Sequence, residues 1–159
     1  MSKIVKVIIL ETIVLVCLFL LLIFFPKENT ISKVCFREGC LQVEVADTPE
    51  KQERGLMFRE NLEKERGMLF VFKKEANYPF WMKNTLIPLD IIWINQNKEI
   101  AFIAENAQPC PPSPKATDGQ SNEICDPIDP KQSAEYVLEV NGGLVKEINV
   151  KVGDKVLIN

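Results

Sequence analysis

The stretch "PFWMKNTLIPLD", residues 79–90, decides how this chain is read. It sets Trp81, Met82, Lys83, Asn84 and Thr85 side by side and closes on Pro88-Leu89-Asp90. The segments around it alternate as ordinary β-strands, so a stretch this mixed either joins two strands or builds a site. Pro79 has no N–H for a ladder, which makes Tyr78–Lys83 a strand at a sheet edge or bulge. Alternation sends Phe80 and Met82 to the core face and Trp81 to the other. Lys83 to Thr85 make a turn. Asp90 then starts the next strand, on the same face as Ile92 and Ile94. An Asp at the head of an apolar face needs a partner once buried, and Lys83 and Arg54 could serve.

Working outward, "GMLFVF" at 67–72 reads as a short buried strand, with a turn over 73–77. "LDIIWIN" and "EIAFIAE" form a hairpin around Gln96-Asn97-Lys98. Upstream, "VCFREGCLQVEVA" reads as two strands joined by a loop in which Gly39 can take positive φ, with Leu41, Val43 and Val45 inward. Thr48-Pro49-Glu50 starts a helix, with Thr as N-cap, Pro at the first position and an acid in the first turn. The helix is predicted over 49–56, ending near Gly55, and Arg59–Arg66 is an exposed turn. Residues 106–131 carry six prolines and read as a loop. "SAEYVLEVNGG" is a further strand, 143–148 a short helix, and "VKVGDKVLI" a turn at Gly153-Asp154 with a last strand. The expected class is α+β: mostly antiparallel β in a partly closed barrel, with one or two short helices, plus an N-terminal transmembrane helix.

That helix is read from the apolar run Val7–Phe25, whose 19 residues would reach roughly 28 Å, about the hydrocarbon thickness. Pro26 and Lys27 stop it. A cleaved signal peptide needs small residues before the cut, and "LLIFFPKEN" has none. Cys17 follows Val16 within the run, which fits a lipoprotein poorly. Glu11 lies about a turn inside the span and can snorkel to the headgroups. The reading is an uncleaved anchor over 1–26, a linker over 27–32 and an outer domain over 33–159. Charge hardly orients it, since Lys3 and Lys6 face Lys27, Lys33 and Arg37.

The cysteines set the orientation. Cys35 and Cys40 flank "FREG", and Cys110 and Cys125 bracket fourteen residues of the 106–131 loop. Two local pairs beside a membrane anchor point to disulfides Cys35–Cys40 and Cys110–Cys125 in an oxidising compartment. A four-thiolate zinc site fits these spacings less well, and C-x-x-C is absent. The expected placement is a single-pass cell-membrane protein, N-terminus cytoplasmic and C-terminal domain extracytoplasmic, held in the bilayer by residues 7–25.

Composition narrows the chemistry. There are no histidines, which removes Ser-His-Asp and Cys-His catalysis and every His-liganded metal site. A net charge of −3 argues against nucleic acid. No cofactor motif is present.

"GLMFR" at 55–59, "GMLFVF" at 67–72, "FWMKNTLIPLDIIWI" at 80–94, "YVLEVNGG" at 136–143 and "VGDKV" at 152–156 together resemble the domain of unknown function 192 family. The likeness runs over roughly 40–158. It implies a small secreted or membrane-anchored β-rich domain and no established activity. The Cys-bearing loop resembles an insertion found in part of that family.

Within the signature, Lys83, Asn84, Thr85 and Asp90 are the ligand-binding candidates. Lys83 and Asp90 would be charged anchors, Asn84 and Thr85 hydrogen-bonding partners. The plainer alternative has Asn84, Thr85 and Asp90 satisfying the backbone of their own turn. Met57, Met68 and Met82 could bind Cu(I), though methionines on separate elements are more often core filler. The leading expectation is a non-catalytic ligand-binding or accessory domain of the cell envelope, with a small molecule or envelope protein as partner. The alternatives are an envelope enzyme using Asp90 and Lys83, and Cu(I) binding.

Overall fold

In the computed structural model, residues 10–17, 31–110 and 125–159 are described. Residues 10–17 are helical (α1). The strands are β1 (Ile31–Cys35), β2 (Cys40–Ala46), β3 (Arg66–Ala76), β4 (Leu89–Ile94), β5 (Ile100–Ala107), β6 (Ala134–Asn141) and β7 (Leu157–Ile158), with short helices α2 (Pro49–Arg54) and α3 (Leu144–Glu147). They make one sheet in the order β5-β4-β6-β3-β2-β1-β7. Every pairing is antiparallel except β2 with β3. The sheet curls until the head of β5 meets the segment before β7. There Glu99 bridges Lys155, Ile100 donates to the Asp154 carbonyl at 2.9 Å, and Gly153 donates to the Ile100 carbonyl at 2.9 Å.

The curl gives the sheet a concave and a convex face, and both are covered. Val43, Leu69, Ile92, Ile94, Leu138 and Val140 pack inside. Met68, Phe70, Ile91, Trp93 and Val137 point outward, beneath the chain between β3 and β4 and the stretches flanking the Cys110–Cys125 bond. This double cover explains why all of β4 is buried. Trp93 is fully buried, and its indole N–H donates to the Tyr78 carbonyl at 2.8 Å, pinning the covering segment to the strand below.

Most predicted elements are present. Thr48 accepts from the Lys51 N–H at 3.4 Å and Pro49 opens α2, which stops at Gly55. Leu41 and Val43 face the inner core, while Val45 is only partly buried. Both disulfides are formed.

Three expectations are corrected. Residues 73–76, read as a turn, extend β3 past an irregularity in its pairing with β6. Tyr78–Lys83 is not a strand: its contact is a single bridge, Phe80 to Ile128, because this segment crosses the convex face as a cover rather than joining the sheet. Gly39 closes the β1–β2 hairpin without positive φ. Most of the expected membrane helix, and residues 111–124 of the Cys loop, lie outside the described residues. No helix among the described residues is long and apolar enough to cross a membrane.

Candidate functional site

Asp90, the second residue of β4, lies on the concave face and is fully buried. Its partners are neither Lys83 nor Arg54. Oδ1 accepts from the N–H groups of Asn106 (2.7 Å) and Gly143 (3.0 Å), and Oδ2 from that of Val145 (2.8 Å). Gly143 is the N-cap of α3 and has no capping side chain of its own, so Asp90 caps that helix from a distance. Asn106, at φ 49°, lies where the β4–β5 register shifts. The carboxylate therefore ties β4, a bulge in β5 and the start of α3 together.

The convex face holds a different acid. Glu139 lies in β6 opposite Met68 of β3 and Ile91 of β4, and is only 5% exposed. The chain leaving α2 runs directly over it. Gly55 takes φ 48° and ψ −135°, and a Cβ there would sit 3.2 Å from Phe70 Cζ and 3.6 Å from Glu139 Oε2. Only glycine adopts that backbone readily while passing so close. The Leu56 backbone N–H lies beside the Glu139 carboxyl and favours its charged form, while Oε2 has no hydrogen-bond partner among the described residues. Burial raises the pKa to about 8, against the opposing pull of Arg59 and the Leu56 N–H. Arg59 itself is committed to Glu44, in a bidentate pair at 2.6 and 2.7 Å.

Glu139 opens onto a cleft of about 170 Å³. Phe70, Phe72, Tyr78 and Phe80 form its apolar wall. The rings of Phe72 and Tyr78 stack at 3.6 Å, and Phe80 packs edge-on to Phe70 at 4.8 Å. Glu53, Arg54, Met57, Trp81, Lys83 and Thr85 complete it. Trp81 is 47% exposed and Phe58, on the adjoining surface, 64%. Phe58 also holds φ 63°, and its N–H donates to the Asn84 carbonyl at 2.8 Å. A bulky residue in that region costs free energy, and such outliers cluster at ligand clamps.

The four sequence candidates are thus divided. Lys83 and Thr85 line the cleft, Asn84 lies on the adjoining surface, and Asp90 is on the opposite face of the sheet. Thr85 Oγ1 donates to the Lys83 carbonyl at 3.5 Å, and Asn84 Nδ2 reaches Met57 Sδ at 3.9 Å. Lys83 Nζ sits 5.6 Å from the Trp81 ring centre. Of the methionines, Met57 lines the cleft, while Met68 and Met82 are buried in the outer core. Sequence reasoning passed over Glu139. Its available signal was an acid between apolar neighbours in "YVLEV", two residues from Val137, which shares its face and is also buried.

Fold and cleft together define a small curled-sheet domain with an aromatic hollow set over a buried acid. The chain belongs to the DUF192 family, described as "Uncharacterized ACR", whose model matches residues 29–158. No curated protein matches it. Among solved structures, it is similar to a putative transcription regulator from Sinorhizobium meliloti 1021, at 33% identity and a TM-score of 0.69, covering 84% of this chain and 97% of that one. It is also similar to a protein of unknown function from Novosphingobium aromaticivorans DSM 12444, at 35% identity and a TM-score of 0.63, covering 81% and 84%.

Proposed function

We propose that this chain is a membrane-anchored extracytoplasmic domain that binds a small molecule as an accessory of the cell envelope, without turning it over. Residues 1–26 are the anchor, with 7–25 in the bilayer, and 27–32 the linker. The two disulfides suit an oxidising compartment. One observation carries the binding reading: buried Glu139, whose Oε2 has no hydrogen-bond partner among the described residues, lines an aromatic cleft. Buried polar atoms are nearly always paired, and a group that lines a hollow can be completed by what enters it.

The enzyme alternative relied on Asp90, whose oxygens are occupied by three backbone N–H groups on the face away from the cleft. Copper would need Met57, Met68 and Met82 to converge, and two of those are core residues. The test is a small-molecule thermal-shift screen on the full chain in detergent, since binding to the folded state raises its melting temperature. Hits should alter the fluorescence of half-exposed Trp81, and Trp81→Phe should abolish the change while leaving buried Trp93. A screen with no stabilising compound, or hits that leave Trp81 unaffected, would contradict the reading.

A further inference from the structure

We infer that the cleft selects a ligand carrying a hydrogen-bond acceptor, a carbonyl oxygen beside a planar apolar group, and that Glu139 is the neutral donor that meets it. The inference rests on the binding reading above and names the chemistry of that site.

Three features support it. The first is the division of labour within the carboxyl. The Leu56 backbone N–H already lies beside the Glu139 carboxyl, and Oε2, buried in a side chain that lines the cleft, has no partner among the described residues. Burial favours the protonated carboxyl, with a pKa of about 8, and a protonated carboxyl is a donor for an acceptor held in the cleft that Glu139 lines.

The second is the charge around it. Arg59 faces Glu139 and stays with Glu44. The end of α2 contributes Glu53 and Arg54, and the covering segment Tyr78 and Lys83. From the sheet, the neighbours Met68, Phe70 and Ile91 bring no charge. A cationic ligand would enter past Arg54 and Lys83 and would require Glu139 to ionise in an apolar setting. A carbonyl requires neither.

The third is size and lining. About 170 Å³ walled by Phe70, Phe72, Tyr78 and Phe80 is close to the ~150 Å³ apolar cavity that accepts a benzene ring. One planar ring with one small polar substituent fits that volume.

The experiment uses three ring compounds of similar shape: acetophenone (acceptor only), benzylammonium (cationic donor) and ethylbenzene (neither). Each is titrated into the full chain in detergent at pH 6 and pH 9.5, with the Leu56 amide and Trp81 indole signals followed by NMR. Wild type is expected to prefer acetophenone over ethylbenzene roughly three- to tenfold at pH 6, the net worth of one hydrogen bond, and to lose the preference at pH 9.5. Glu139→Gln should keep it at both pH values, because its carbonyl can accept from Leu56 while its amide still donates into the cleft. Glu139→Leu should lose it at both. Benzylammonium favoured over acetophenone, or equal binding of all three at both pH values, overturns the inference and leaves the cleft a binding site. Failure of all three to perturb either signal refutes the inference and counts against the binding reading together.

Discussion

Replacing Asp90 with Asn separates a structural acid from a ligand-binding one. In wild type Oδ1 serves Asn106 and Gly143, and Oδ2 serves Val145. The amide of Asn can keep its carbonyl on the first pair, but then its NH₂ meets the Val145 N–H, donor against donor. One charge-assisted bond is lost, a buried N–H is left unpaired, and the other two bonds lose their charge assistance. Together these cost about 3 kcal/mol. For a domain of this size that corresponds to about a 10 °C fall in melting temperature. Asp90→Ala removes all three bonds and should cost about 5 kcal/mol, enough to leave many small domains largely unfolded. Thermal melts of the full chain by circular dichroism measure both. A ligand-anchoring Asp90 would behave oppositely, with binding lost and stability kept. An Asn variant melting within 2 °C of wild type would refute the account of Asp90.

Glu139 makes stability depend on pH in the direction unusual for a carboxylate. Its pKa stands at about 8 when folded, against an ordinary value of 4.5, so the native state binds the proton more tightly than the unfolded chain. Its stabilising contribution is therefore complete below about pH 4.5, declines as pH rises through 8, and is flat above. Urea melts should show the stability of Glu139→Gln relative to wild type rising across that window by at most about 5 kcal/mol. Arg59→Ala should cost about 1 kcal/mol, since its pair with Glu44 is partly solvent-exposed, and should push the Glu139 pKa higher still by removing the nearby cation. Reducing the Cys110–Cys125 bond, or replacing both cysteines with Ser, should cost roughly 3 kcal/mol for a loop of separation 15 in the chain-entropy model. Thiol counting on non-reduced protein should find Cys17 and no other.

What the sequence made legible was local. Thr48-Pro49 specified a helix start because capping needs only neighbours in the chain. The cysteine pairs were readable from spacing, and the β4–β5 hairpin from two apolar runs around Gln96-Asn97-Lys98. Alternation placed Asp90, Ile92 and Ile94 on one face correctly. It could not supply Asp90's partners, which are backbone N–H groups at 106, 143 and 145. Backbone donors look the same in every sequence.

The site was harder to see for a related reason. Alternation marks an outward residue as solvent-facing, but the convex face is itself covered by residues 54–57 and 77–88. Glu139 becomes buried only through that long-range cover, so the apolar neighbours in "YVLEV" marked the acid without supplying the segment that buries it. Tyr78–Lys83 misread for the complementary reason: its alternation is real, with Phe80 and Met82 inward and Trp81 outward, but it serves a cover rather than a strand.

The most direct measurement is an NMR titration of the Glu139 carboxyl carbon in the full chain, with and without acetophenone. The account predicts a midpoint near 8 in the free protein and a higher one with acetophenone bound, because the carbonyl stabilises the protonated form. A midpoint near 4.5, unmoved by acetophenone, would contradict both the burial of the carboxyl and the site built on it.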